Sequence, residues 1–252
     1  MNNDRTTLQA GTLYGLIGYP LGHSFSRGFF TDKFSREGID AQYLNFEIPD
    51  ATMLLDVLRQ NPALRGLNVT LPHKQAVIPM LDELSDEARE IGAVNVIRIR
   101  DGKLKGFNSD IIGFTESLKP LLQPHHKHAL VLGTGGASRA ICVGLSRLGI
   151  DWTYVTRSPR EGMLTYGDLS PEVMEHYTVI VNCSPVGMFP KVDVAPDIPY
   201  DQLTERHLLF DLVYNPEDTL FMQLGREYGA TVKNGLEMLH LQAIASWRFW
   251  NE

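Results

Sequence analysis

Seven residues, Asn68-Val69-Thr70-Leu71-Pro72-His73-Lys74, gather an amide, a hydroxyl and an ammonium within a short span. On extended backbone Asn68 and Thr70 are two apart and face the same side. Pro72 fits the first position of a helix, so Lys74 is expected to project from that helix's first turn. A small polyhydroxylated molecule needs such a set. Each residue also has an ordinary use: Asn68 can satisfy loop backbone, Thr70 can cap a helix, and Lys74 can be solvated. Two further segments change the balance. Ala93-Val94-Asn95 places a second amide on another expected strand, and Gly106-Phe107-Asn108-Ser109-Asp110 places a carboxylate after a third. A lysine–aspartate pair supplies one group to donate a proton and one to position it. That is the equipment for reducing a ketone, with hydride going to carbon and a proton to oxygen.

A second constellation concerns an anion. Residues 129–132 read as a strand and 137–148 as a helix, with Gly133-Thr134-Gly135-Gly136-Ala137-Ser138-Arg139-Ala140 at the junction. This is the setting of a dinucleotide-binding turn. Gly133 allows the tight turn, Gly135 lets backbone approach a pyrophosphate, and amides at the helix start bind the anion. Ser138 stands where the pattern usually has glycine or alanine, and a purely structural turn is the alternative. The next strand, 152–156, ends in Thr156-Arg157-Ser158-Pro159-Arg160. No acid is there to accept from a ribose 2′-hydroxyl, whereas two planar guanidinium groups suit a 2′-phosphate. NADP is therefore favoured over NAD, against the alternative of arginines solvated in a surface loop.

The elements that must position these residues alternate along the chain. Residues 13–17, 43–48, 66–70, 93–99 and 104–107 read as strands in the first part, and 129–132, 152–156, 178–182 and 208–213 in the second. Between the first two strands, FSRGFFTDKFSREG has helical spacing, with Ser24 or Ser26 as N-cap and Gly38 as the stop. Asp50 starts a further helix with Leu54, Leu55 and Leu58 on one side, and Asn215-Pro216-Glu217 reads as another helix start. The closing helix spans 236–250. Gly235, Met238 and Gln242 recur on one face of it, and Leu236, Leu239, Ile244 and Trp247 read as core. Alternating strand and helix indicate layered α/β architecture with a largely parallel sheet.

Bulk properties bound the partners. The 252 residues, 43% hydrophobic and 21% charged, have the composition of a soluble globular protein. A formal net charge of -7 argues against nucleic acid, and no run of about 18 apolar residues suggests a membrane span. The opening MNNDRTTLQAG lacks the apolar core of a signal peptide. Cys142 and Cys183 read as buried thiols of a cytosolic, hence cytoplasmic, chain without a disulfide. His125, His126 and His128 sit in a polar stretch at 118–129, read as a solvated connection at a domain border rather than a metal site.

The ordered motifs GYPLGHSFS, NVTLPHK, GAVNVI, GFNSD, GTGGASRA, NCSPVGM, DLVYNP and NGLEMLHLQA run along nearly the whole chain, which resembles the shikimate dehydrogenase family. The resemblance implies an NADP-linked oxidoreductase interconverting 3-dehydroshikimate and shikimate in chorismate and aromatic amino-acid biosynthesis. By it, Ser24 and Ser26 bind the substrate carboxylate, and Asn68, Thr70, Asn95 and Asp110 hold ring hydroxyls. Lys74 is the general acid–base group, paired with Asp110, while Tyr214 and Gln242 complete the pocket. Gly133, Gly135, Gly136 and Ala137 match the pyrophosphate loop; Arg157, with Thr156, Ser158 and Arg160, matches the adenosine-phosphate segment. Val213, Gly235 and Met238 lie near the nicotinamide. Departures from the family pattern are Arg27 for proline, Ser109 for threonine, Ile111 for glycine, and Thr156 and Ser158 for asparagine and threonine.

The expected organisation is two α/β domains. Residues 1–110 with 236–252 form a substrate-binding domain with a mostly parallel sheet, and 111–235 form a Rossmann-type NADP-binding domain. Two alternatives stay open: a quinate/shikimate dehydrogenase that uses NAD, and a catalytically silent NADP- or shikimate-binding regulator. The oligomeric state, monomer or homodimer, is not set by these residues.

Overall fold

The computed structural model describes residues 11–21 and 25–252. Contacts divide the chain into two compact units; one ends at Ser109 and takes in Gln242–Glu252, the other is Asp110–Leu241. The second boundary falls further along the closing helix than residue 236.

The first unit contains β1 (Thr12–Gly18), α1 (Phe25–Glu37), β2 (Ala41–Glu47), α2 (Leu54–Gln60), β3 (Leu64–Val69), β4 (Glu83–Leu84), α3 (Asp86–Ile91), β5 (Val96–Arg100) and β6 (Lys103–Phe107). Its sheet runs β2-β1-β3-β5-β6-β4. The pairs β1–β2, β1–β3 and β4–β6 are parallel, while β5 is antiparallel to both its neighbours. Every residue of β1 is buried, as expected for the apolar strand TLYGLIG between two parallel partners.

Gly38 ends α1 at φ +62°, and the Ile39 amide reaches back to the Phe34 carbonyl at 2.9 Å. Ser26 lies inside the helix's first turn and not at its cap; Ser24 lies outside the described residues. Before α2, Asp50 accepts from the Thr52 amide at 2.8 Å and opens a short 3₁₀ turn. Leu54 and Val57 are buried and Leu58 packs on the core, whereas Leu55 is 49% exposed. The apolar stripe is therefore Leu54, Val57 and Leu58, the spacing that a single helix face requires.

The second unit contains α4 (Asp110–Leu118), β7 (His128–Leu132), α5 (Gly136–Arg147), β8 (Asp151–Thr156), β9 (Leu164–Thr165), α6 (Pro171–His176), β10 (Val179–Asn182), β11 (Leu208–Asp211), α7 (Leu220–Glu227) and β12 (Thr231–Lys233). Helix α8 (Leu236–Asn251) starts here, and its last residues belong to the first unit. All pairs in the second sheet are parallel, in the order β12-β11-β10-β7-β8-β9. The chain steps outward from β7 to β9, then returns to the opposite side of β7 at β10. That reversal is the point at which doubly wound sheets take a ligand, beyond the strands' C-terminal ends.

Three local expectations are corrected. The stretch 118–129 lies within the second unit, not at its border, and its histidines are engaged. The rings of His125 and His126 each bond to the Arg206 carbonyl at 3.0 Å, and His126 Nδ1 accepts from the Gln123 amide at 2.9 Å. Helix α7 begins at Leu220, not at Pro216: Thr219 caps it, while the Asn215 carbonyl accepts from the Phe189 amide at 3.0 Å. Ile244 is 49% exposed and is no core residue, whereas Trp247 packs its ring against Tyr14 at 5.4 Å. Cys142 is a buried and Cys183 a half-buried free thiol. No helix among the described residues is long and apolar enough to cross a membrane.

Candidate functional site

In the first unit the polar residues converge through one phenol. Tyr43, on β2, donates to Asn68 Oδ1 at 2.8 Å and is hydrogen-bonded by Ser26. Burial pushes this phenol far above its usual range, so it remains a neutral donor. Asn68 Nδ2 then donates to Ser246 Oγ at 2.9 Å, and Ser246 donates to the Gln242 carbonyl at 2.8 Å. One chain of hydrogen bonds thus ties α1, β2, β3 and the end of α8. Asn68 spends both ends of its amide on this network, so its structural use is real.

Sequence reading missed Tyr43 and Ser246. The available signal was a tyrosine within an expected strand, since a buried phenol needs a partner.

Asn95, just before β5, is equally engaged. It donates to Ser109 Oγ at 3.0 Å and accepts from the Ser109 amide at 2.6 Å. Its carbonyl accepts from the Val69 amide at 2.9 Å, which sets it beside the end of β3. Ser109 keeps the hydroxyl that this pairing uses, so the change from threonine leaves the tie intact. By contrast, the Thr70 hydroxyl and the Gln242 carboxamide, both half-buried, make no hydrogen bond with the described residues.

Lys74 does not stand on a helix. Residues 71–77 form consecutive turns, because the Lys74 carbonyl is taken by the Val94 amide at 2.7 Å while the Ile78 amide goes to Gln75. The turn is also anchored by His73, which is buried and bonds its ring to the Ile48 carbonyl at 2.6 Å. Lys74 itself is half-buried on this fixed support. Asp110 is buried at the first position of α4, in the second unit, where the helix dipole favours a carboxylate. Its neighbour Ile111 is also buried, on the inner face of the helix, so the branched side chain is absorbed by the core.

The second unit holds the glycine turn at the end of β7. Gly133 takes φ +98°, which only glycine adopts readily. A side chain at Gly135 or Gly136 would meet nothing within 4 Å, so this backbone is open for a ligand to approach. Ala137 follows in the first turn of α5. Ser138 is fully buried and donates to the Gly135 carbonyl at 2.7 Å, which satisfies its hydroxyl at the close-packed third position.

At the end of β8, Thr156 is buried and donates to the Ser158 carbonyl at 2.5 Å. Its hydroxyl shapes the loop. Arg157, Ser158 and Arg160 are exposed on it, with Arg157 close enough to Tyr166 to oppose the rise that burial gives that phenol. Beyond β11, Val213 is buried and its carbonyl accepts from the Gly235 amide at 3.2 Å; Tyr214 follows, half-buried. A Cβ at Gly235 would overlap the Leu212 carbonyl, so this glycine is a requirement of close backbone approach. Met238 packs into the core formed by β7, α5 and β10.

A doubly wound parallel sheet with an open glycine turn, carried on one chain with a second, polar-lined α/β unit, defines a dinucleotide-linked oxidoreductase. The family described as the shikimate dehydrogenase substrate binding domain matches residues 16–97. The NADP(+)-dependent shikimate dehydrogenase of Desulforamulus reducens is 36% identical over 259 residues, 94% of this chain and 88% of that protein. The shikimate 5-dehydrogenase of Thermus thermophilus, solved with NADP(H) and shikimate, is 31% identical at a TM-score of 0.84, covering 95% of this chain and 93% of that one. The 5-ketofructose reductase of a Gluconobacter strain is 30% identical at a TM-score of 0.82, covering 95% and 92%. The chain belongs to the shikimate dehydrogenase family.

Proposed function

We propose that this protein is an NADP-linked shikimate dehydrogenase, interconverting 3-dehydroshikimate and shikimate in chorismate and aromatic amino-acid biosynthesis. The observation that carries the reading is the turn under Lys74, anchored by His73 and by the Lys74 carbonyl, with a Thr70 hydroxyl on the same segment that bonds to none of the described residues. NADPH, when bound, supplies hydride. Gly133, Gly135, Gly136 and Ala137 hold its pyrophosphate, and Arg157, Ser158 and Arg160 meet its 2′-phosphate beside a loop shaped by Thr156. Val213, Gly235 and Met238 border the nicotinamide.

Ser24 and Ser26 hold the substrate carboxylate; Thr70, Asn68 and Asn95 orient ring hydroxyls; Tyr214 and Gln242 close the pocket. Lys74 donates a proton to the ketone oxygen during reduction and takes it back during oxidation, with Asp110 holding its position. The reading also places the enzyme in the cytoplasm, as a monomer or homodimer.

The test is absorbance of the reduced nicotinamide, NADPH or NADH, in three mixtures: shikimate with NADP⁺, quinate with NAD⁺, and 5-ketofructose with NADPH. Rapid change in the first alone is expected. Comparable rates in the first two would make it the broader quinate/shikimate enzyme, and change only in the third would reject the substrate. Silence in all three, with shikimate still binding, would make it a regulator.

Tyr43 gives a finer check. Tyr43→Phe removes the donor to Asn68 and the partner of Ser26, leaving a half-buried amide oxygen short of one bond. The expected result is a rise of up to about tenfold in KM for shikimate with kcat within about twofold, the size of one unmet, partly buried hydrogen bond. A steady-state profile with unchanged KM would detach this network from substrate binding.

A further inference from the structure

Asp211 is a buried carboxylate to which the proposed reaction assigns nothing. It ends β11 and is fully enclosed. Oδ1 accepts from Asn182 Nδ2 at 2.9 Å and from the Val213 amide at 3.0 Å, and Oδ2 accepts from Thr219 Oγ1 at 2.7 Å. Asn182, likewise fully buried at the end of β10, passes the tie onward. Its Oδ1 accepts from the Ser184 amide at 3.1 Å and from the Ser184 hydroxyl at 2.6 Å, and its Nδ2 also reaches the Val186 carbonyl at 3.3 Å. The Ser184 Cβ in turn lies 3.4 Å from where a side chain on Gly133 would start. The Val213 carbonyl holds Gly235 at the head of α8.

One carboxylate thus gathers the loops leaving β10 and β11, at the side of the sheet where its winding reverses. We infer that Asp211 is the positioning residue for the nicotinamide end of the cofactor site, setting the Ser184 loop and the Val213–Gly235 junction without touching the cofactor. This rests on the proposed function for the assignment of Val213 and Gly235. Burial pushes the carboxyl up to about 6 against its three donors, so the group is unfavourable to bury and is not explained by packing alone. A carboxylate that only capped α7 would need Thr219 and neither Asn182 nor Val213.

The experiment compares two probes, NADPH and 2′,5′-ADP, by fluorescence titration and calorimetry. The second carries only the adenosine end, which Arg157 and the glycine turn would hold. Asp211→Leu keeps the bulk and removes every acceptor. Expected is a loss of about tenfold or more in NADPH affinity, as for one or more unmet buried donors, with 2′,5′-ADP within about twofold. Asp211→Asn should recover most of the loss, since its oxygen can face Asn182 and Val213 and its amide can donate to Thr219. If Asp211→Leu does not fold, Asn182→Ala, which cuts the link to Ser184, is expected to show the same divergence.

Equal losses for both probes, or no loss for NADPH, would overturn the inference and leave Asp211 a general support of the fold. Turnover by the unaltered enzyme with shikimate decides the proposed function separately. The binding comparison does not depend on it.

Discussion

Lys74→Ala is expected to lower turnover by about 10²–10⁴-fold, the usual contribution of a positioned acid–base group, while NADPH affinity stays unchanged. The expectation follows from how the side chain is carried. The backbone at Lys74 is held by the Val94 amide, and its neighbour His73 is fixed against the Ile48 carbonyl, so the ammonium starts from a fixed support. Removing the amine deletes the proton source and leaves that support standing, because the anchoring bonds are made by backbone and by His73. KM for shikimate should move less than kcat, since a proton moves only in the transition state. Lys74→Arg separates charge from proton transfer: guanidinium keeps the positive charge but does not release a proton near neutrality. It should bind shikimate yet stay within about tenfold of the alanine variant. Steady-state rates with NADPH titrations on the same preparations check this. Full turnover in Lys74→Ala would remove the lysine from the chemistry, and lost NADPH binding would point to a damaged fold instead.

The residues that could do chemistry were legible as a set because each has a type and a local context. The glycine turn follows an apolar strand, and the sheet order that surrounds it is the one such a strand–turn–helix unit builds. What was not legible were the tertiary bonds that compete with local propensity. Pro72 and Pro216 both look like first positions of helices. In each case a distant amide claims a nearby carbonyl, Val94 at Lys74 and Phe189 at Asn215, and no helix grows there. Asn68 illustrates the opposite case. The sequence directs its side chain toward a ligand, and the partners that also bond to it, Tyr43 and Ser246, lie 25 and 178 residues away in sequence. Asp211 escaped notice for a similar reason. In the strand read at 208–213 it is a lone acid in an apolar run, and its three donors come together only in the fold.

Arg157→Ala is expected to cut kcat/KM for NADP⁺ by about 10² while leaving the much lower value for NAD⁺ within about twofold. Each charge-assisted hydrogen bond to the 2′-phosphate is worth roughly 1.5–3 kcal/mol, and exposure of the loop reduces the pair to about 3 kcal/mol in total, which is close to 10². NAD⁺ has no such phosphate, so it gains nothing from the guanidinium and loses nothing with it. The loop itself should persist, because its shape comes from Thr156 bonding to the Ser158 carbonyl and not from the arginine. Raised salt should weaken NADP⁺ binding to the unaltered enzyme more than to the variant, since an exposed ion pair is screened. Arg160→Ala measures the second arginine in the same assay. A large loss there with little at Arg157 would exchange their roles. Parallel losses for both dinucleotides would mean that the arginine supports the loop and does not read the phosphate, and cofactor choice would then have to be sought elsewhere on the β8 exit.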